Sequence, residues 1–304
     1  MGELMERIAK STVLDYRKYR RTVDRLCARY GILVPFTIGR SAAGRDIVAL
    51  RLGGRKSHSL FTASFHGSEY ITTNVLLYLI EDMCEAVCKN SVVDRVNIAQ
   101  SLTSRGIIFV PLVNPDGVEI SIHKAAACGK NAAKIRSLCG GDFTHWNANF
   151  RGVDINHNFN ADWEDLRALE KSHGIFGPAP TRYGGERPES ECETRAVCEL
   201  CRNTHISHAI ALHSQGEVIY WDYKGYCKDA AQPMAEKMAR LSDYALDVPM
   251  GLASGGGFKD WFQKEFRRPA FTVEIGKGKN PLPIESAEEI YAKIRKMLFA
   301  CATM

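Results

Sequence analysis

With 304 residues, 45 % of them hydrophobic, the chain is long enough for one large α/β domain or two smaller ones around a sizeable core. Its 40 basic and 35 acidic residues leave a net charge of +5 but are interleaved, with no long like-charge run outside the helix around Arg17 to Arg25, which argues against a nucleic-acid partner and leaves room for an anionic substrate. No run approaches the length of a membrane span, and residues 1–7 carry acidic groups without an apolar leader core, so a cytoplasmic protein is expected.

Residues 11–30 place apolar positions at helical spacing and stop at Gly31, which predicts a first helix within an N-terminal segment, 1–30, packed on the rest. Residues 32–39 and 46–52 alternate as strands about a turn at 41–45. The apolar run 59–65 reads as a buried strand that delivers His66 at its C-terminal end, the edge where open α/β sheets place their sites. Residues 72–86 form an amphipathic pattern, so Glu69 falls in the first turn of a helix, where the dipole favours a carboxylate. His66 and Glu69, three apart, look like half a metal site. Taken alone, the pair is a weak pattern that more often marks a surface ion pair or a helix start than a metal site.

Beyond this, 106–113 reads as a further buried strand closed by a turn at Asn114-Pro115-Asp116-Gly117. Residues 120–150, rich in Ala, Gly, Asn and Lys with little periodicity, read as a long loop near the site. Residues 187–195 open a helix, 208–212 form a strand that delivers a second histidine, His213, and 270–275 form one that delivers Glu274. Three protein ligands with a position left for water suit a catalytic zinc, whereas a structural zinc is closed by four, usually with cysteines. The ten cysteines are scattered, and the close pairs Cys84/Cys88 and Cys198/Cys201 lie in helical patterns, so reduced core thiols are expected. For each histidine a satisfied core residue is the alternative, and for Glu274 a buried ion-pair partner. An ionised carboxylate at the end of so apolar a strand is costly without a partner or a task.

The stretch Trp146-Asn147-Ala148-Asn149-Phe150-Arg151-Gly152-Val153-Asp154-Ile155-Asn156-His157-Asn158-Phe159, with the Asn-Pro-Asp-Gly turn and the metal residues, resembles the zinc metallocarboxypeptidases, over about residues 19–284. The segments beginning at His66, His213 and Glu274 look most like the bacterial γ-D-glutamyl-diaminopimelate peptidase branch. The resemblance implies a three-layer α/β/α sandwich around a mixed, roughly eight-stranded sheet, with 1–304 as a single catalytic domain. It implies one zinc per chain on His66, Glu69 and His213, which would polarise the scissile carbonyl and bring its bound water towards a pKa of about 7. Glu274 would be the general acid/base.

Three departures bear on the substrate. Asn147 stands where family members carry Arg or Lys to meet the oxyanion, so that Arg151 is a candidate to take over. Asn156 and His157 match the Asn-Arg pair that grips a terminal carboxylate, but histidine breaks the bidentate clamp. A tyrosine expected before the Ala253-Ser254-Gly255-Gly256 turn is missing, with Gly251 near its place. Gln215 and Glu217 could line a leaving-group pocket, Glu217 facing the ammonium of a diamino acid. The reading is a zinc peptidase that cuts a γ-D-glutamyl bond to a diamino acid in peptide or muropeptide substrates. The alternatives are a general metallocarboxypeptidase and, more remotely, a zinc-site binding protein with weak catalysis.

Overall fold

Side chains along the apolar strands alternate between two cores, and that alternation sets the architecture. In the computed structural model, which describes residues 6–304, eight strands make one sheet. They are β1 (Val34–Arg40), β2 (Asp46–Gly53), β3 (His58–Ala63), β4 (Gly106–Val110), β5 (Ile206–His213), β6 (Val218–Tyr220), β7 (Ala245–Asp247) and β8 (Ala270–Glu274). Their order across the sheet is β1-β2-β4-β3-β5-β8-β6-β7. The central β4, β3, β5 and β8 are parallel, while β2 and β6 pair antiparallel against them, so the sheet is mixed.

The longer helices are α1 (Tyr16–Arg29), α2 (Ile71–Cys88), α3 (Pro115–His123), α4 (Trp163–Ser172), α5 (Cys192–Asn203), α6 (Lys228–Ser242), α7 (Phe258–Phe266) and α8 (Ala287–Thr303). Phe61, Ile210, Leu212 and Val273 point to a core shared with α1, α2, α6 and α8. Leu60, Ala209, Ala211 and Ala270 point to another beneath α5 and α7. This is the expected three-layer α/β/α sandwich, and its small residues on the second face let α7 lie close to the sheet.

Residues 1–5 of the N-terminal segment lie outside the described residues. From Ile8 onward the segment is tied to α2: the buried Glu81 carboxylate accepts from the backbone N–H groups of Ile8 (2.8 Å) and Ala9 (3.0 Å) and pairs with Arg29. Helix α1 begins at Tyr16, later than its apolar pattern, because Asp15 caps it by accepting from the N–H of Lys18 at 2.8 Å.

Two sequence expectations are corrected. The Asn-Pro-Asp-Gly motif does not form a turn but starts α3, with Pro115 in the first turn and Asn114 Oδ1 accepting from the N–H of Gly117 at 2.8 Å. The same residue types serve both ends, since proline's fixed φ and missing N–H suit a first helical turn. Nor is 120–150 a plain loop. It holds a helix at Ala132–Leu138 and a satellite core of Ile120, Cys128, Ile135, Phe143 and Trp146, in pieces too short to show a period. The ten cysteines are free, as expected, and Cys198 and Cys201 are buried in α5.

Candidate metal centre and cleft

The site gathers at the C-terminal edge of the parallel strands. After β3 the backbone of Ser64 turns left-handed (φ 51°), its N–H donating to Thr72 Oγ1 at 2.9 Å, and the chain enters a short turn at Gly67–Glu69 ahead of α2. A side chain at Gly67 would place a Cβ 2.3 Å from the carbonyl oxygen of Gly117 and 2.6 Å from that of Trp146, so only glycine lets the His66 turn seat against those backbones. His213 ends β5, and Glu274, ending β8, is its partner in the parallel ladder.

These strand ends bring His66, Glu69 and His213 together, each offering a ligand atom within 4.8 Å of the others. Nδ1 of His66 lies 2.8 Å from Glu69 Oε1, and Nδ1 of His213 lies 3.0 Å from Glu69 Oε2. Two imidazoles and a carboxylate are a donor set that fits a zinc ion with a position left for substrate. Behind them, Nε2 of His66 faces Asp154 Oδ1 at 3.1 Å, and Phe65 stacks on His213 with ring centroids 5.5 Å apart. A carboxylate behind a ligating histidine fixes its tautomer and leaves the other nitrogen for the metal.

Electrostatics follow from burial and proximity. Burial alone would depress His66, but the carboxylates of Glu69 and Asp154 outweigh it and hold the imidazole well above its usual range. Burial would raise Glu69 and Asp154, and the neighbouring histidines overcome it, holding both below the usual carboxylate range. Glu274 goes the other way. Burial first, and then the charge of Glu69, push its carboxyl well above the ordinary value.

A cleft of about 250 Å³ opens over this group, walled by His66, His213, Glu274, Asn147, Asn156 and His157 among others. Asn147 Oδ1 accepts from Ser68 Oγ at 2.6 Å, which leaves its amide N–H groups for the cleft. Asn156 Oδ1 accepts from the N–H of Phe258 at the start of α7, at 3.0 Å. His157 Nδ1 is held 2.9 Å from Oε1 of Glu170, a fully buried carboxylate that also pairs with Arg167 and accepts from the N–H of Gly184.

The structure does not bring the other expected residues here. Arg151, its side chain 58 % exposed, lies 3.9 Å from Glu191 on a separate depression with Lys134 and Arg187, which corrects the expectation that it could serve the oxyanion. Glu217 is engaged by Lys277 (2.9 Å) and Lys293 (2.7 Å) away from the cleft, and Gln215 faces solvent, so neither lines a leaving-group pocket. Conversely, Asp154, Arg182, Lys259 and Glu170 belong to the cleft or its support and were missed. Asp154 stood in plain view in the Gly-Val-Asp element, whereas Glu170 and Lys259 lie on helices with nothing local to mark them.

Residues 19–298 match the family model described as zinc carboxypeptidase. The chain is 34 % identical over 279 residues to γ-D-glutamyl-L-diamino acid endopeptidase 1 of Lysinibacillus sphaericus, covering 91 % of this chain and 69 % of that one. It is 35 % identical over 260 residues to the uncharacterized protein YqgT of Bacillus subtilis (strain 168), covering 84 % and 68 %. Bovine thrombin-activatable fibrinolysis inhibitor, solved in complex with tick carboxypeptidase inhibitor, superposes with a TM-score of 0.74 at 21 % identity, over 96 % of this chain and 97 % of that one, and so shares its fold.

Proposed function

The chain belongs to the zinc carboxypeptidase family, and from that premise we propose that it hydrolyses the amide bond between a γ-D-glutamyl residue and a diamino acid in peptides of the peptidoglycan type. The observation that carries this reading is the 34 % identity, over 91 % of the chain, to a γ-D-glutamyl-L-diamino acid endopeptidase. Residues 1–304 act as a single catalytic domain, a reading supported by one sheet with a core on each face.

His66, Glu69 and His213 would hold one zinc ion. When bound, zinc polarises the scissile carbonyl and acidifies a water molecule. Glu274, half-buried and with its carboxyl raised, takes a proton at a carboxylate oxygen and passes it to the departing nitrogen. Asn147 offers a neutral N–H to the developing oxyanion, a bond weaker by about 1 to 2 kcal/mol than one from a charged donor. Asn156 and His157, seated against the start of α7, receive the leaving residue.

Among the described residues no helix is long and apolar enough to cross a membrane. We place the protein in the cytoplasm, a reading supported by the ten free cysteines, because thiols stay reduced there. In that compartment the reaction would process recycled muropeptides.

One observation favours a second reading, release of ordinary C-terminal residues: the cleft is lined by Arg182, a residue whose cation is able to hold a terminal carboxylate. Incubating zinc-loaded protein with defined muropeptides and, separately, with C-terminal dipeptide reporters, and identifying products by mass, separates the two. Cleavage of the reporters alone would overturn the first.

A further inference from the structure

Lysine and arginine side chains line the cleft at two places, Lys259 and Arg182, and the first is already committed. Lys259, only 4 % exposed, donates to the carbonyl of Asp222 at 2.9 Å, pairs with Asp260, and sits 5.6 Å from the ring centre of Tyr223. His157 is held by Glu170. Arg182 is different. Its guanidinium makes no ion pair among the described residues, yet its backbone is locked in place. Its N–H donates to Asp154 Oδ2 at 2.9 Å, while Oδ1 of the same carboxylate faces His66. Arg182 holds a left-handed φ of 65°, a conformation costly for a non-glycine residue and retained where surroundings over-determine it. An exposed charged side chain with no protein partner among the described residues, rooted on a backbone one carboxylate away from the metal ligands, is placed to meet an anion on the substrate.

The side of the cleft identifies which anion. Arg182 follows Pro180, whose carbonyl accepts from the N–H groups of Asn147 (2.8 Å) and Ala148 (2.9 Å), so it belongs to the Asn147 wall. A second part of the lining is built from Asn156 and His157, packed on the 255–258 turn through Phe258 N–H to Asn156 Oδ1 and Phe159 N–H to the carbonyl of Gly256, and anchored by Asn156 N–H to Asp154 Oδ1 at 3.1 Å. If the leaving residue occupies the latter, the acyl residue lies along the former. A γ-glutamyl bond differs from an α-peptide bond in one chemical respect at that place: the acyl residue keeps a free α-carboxylate close to the scissile carbonyl.

We propose that Arg182 binds the free α-carboxylate of a γ-linked acyl residue and so selects γ-glutamyl over α-peptide bonds. This rests on the peptidase reading above and adds its specificity determinant.

The test uses the zinc-loaded full chain with L-alanyl-γ-D-glutamyl-diaminopimelate, the analogue whose glutamyl α-carboxylate is an amide, and the analogue whose leaving-residue carboxylate next to the scissile nitrogen is an amide. Wild type should prefer the free acyl carboxylate by at least about 30-fold in kcat/KM, the size of a charged hydrogen bond. In Arg182→Gln, and in Arg182→Asn, whose residue type suits the left-handed backbone, that ratio should fall to within about three-fold of unity. Equilibrium binding of the acyl products L-alanyl-D-glutamate and L-alanyl-D-isoglutamine reads the same contact without turnover and should lose the same preference. A wild-type ratio near one, a ratio unchanged in both variants, or an effect confined to the leaving-residue carboxylate overturns the proposal. Those outcomes leave cleavage of γ-glutamyl substrates intact. Failure of wild type to cut any of the three, with C-terminal reporters cut instead, removes the γ-glutamyl peptidase reading itself.

Discussion

Nε2 of His66 lies 3.1 Å from Oδ1 of Asp154, and the other oxygen of that buried carboxylate accepts from the backbone of Arg182. One side chain thus fixes the tautomer of a ligand histidine and anchors a wall of the cleft. Asp154→Asn should therefore weaken zinc binding by about 10- to 100-fold, the usual cost of losing such a partner. Competition against a chelator of known affinity measures it, and an unchanged constant would remove Asp154 from the site's support.

Metal uptake should also be coupled to protons. Without metal, His66 is held above its ordinary range by Glu69 and Asp154, so its charge adds stability that is complete below about pH 6.5, the unfolded value, and fades as the pH rises through the higher folded value. A ligating imidazole must be neutral, so zinc binding at pH 7 should expel about one proton or more per ion. Calorimetry in two buffers of different ionisation enthalpy reads this directly, and identical heats would contradict it. The metal-free protein should lose stability on raising the pH from about 6.5, and zinc should flatten that dependence.

Much of this centre was legible because three of its parts, His66, His213 and Glu274, lie at or just beyond the ends of apolar strands. His66, His213 and Glu274 follow runs that cannot hold an ionisable group without a purpose, and the runs themselves fix the parallel centre of the sheet. What was not legible depends on contacts remote in sequence. Glu217 looked free for an ammonium until Lys277 and Lys293 closed on it from beyond β8. Arg151 lies near Asn147 along the chain, yet the bend at Gly152 (φ 75°) and the bond from its own N–H to Asn149 Oδ1 leave it outside the cleft. Arg182 sits on an irregular segment, where no periodicity announces it, and only the fold carries it to the cleft.

Replacing Glu274 by glutamine should leave zinc content near one per chain while kcat falls by about 100-fold or more, the range for a removed general acid/base. His213→Ala should instead lose the metal, since three ligands cannot easily spare one. Metal analysis beside turnover distinguishes the two roles. Full turnover in Glu274→Gln would place the base elsewhere, and full zinc occupancy in His213→Ala would overturn the ligand set.

The grip on the leaving residue gives the last prediction. An arginine at position 157 would hold a carboxylate through two charged bonds, but His157 has committed Nδ1 to Glu170 and keeps one nitrogen for the substrate. Amidating the leaving residue's terminal carboxylate should therefore cost less than about 1 kcal/mol, where a two-bond clamp would lose about 2 to 3. His157→Arg should not by itself restore such a clamp, because Glu170, fully buried and 2.9 Å from the histidine, is placed to capture the new guanidinium. The measurement is kcat/KM at pH 7.5 for paired acid and amide substrates. A wild-type preference for the acid above about 30-fold, or 2 kcal/mol, would mean that another cation holds that carboxylate, and would put release of ordinary C-terminal residues first.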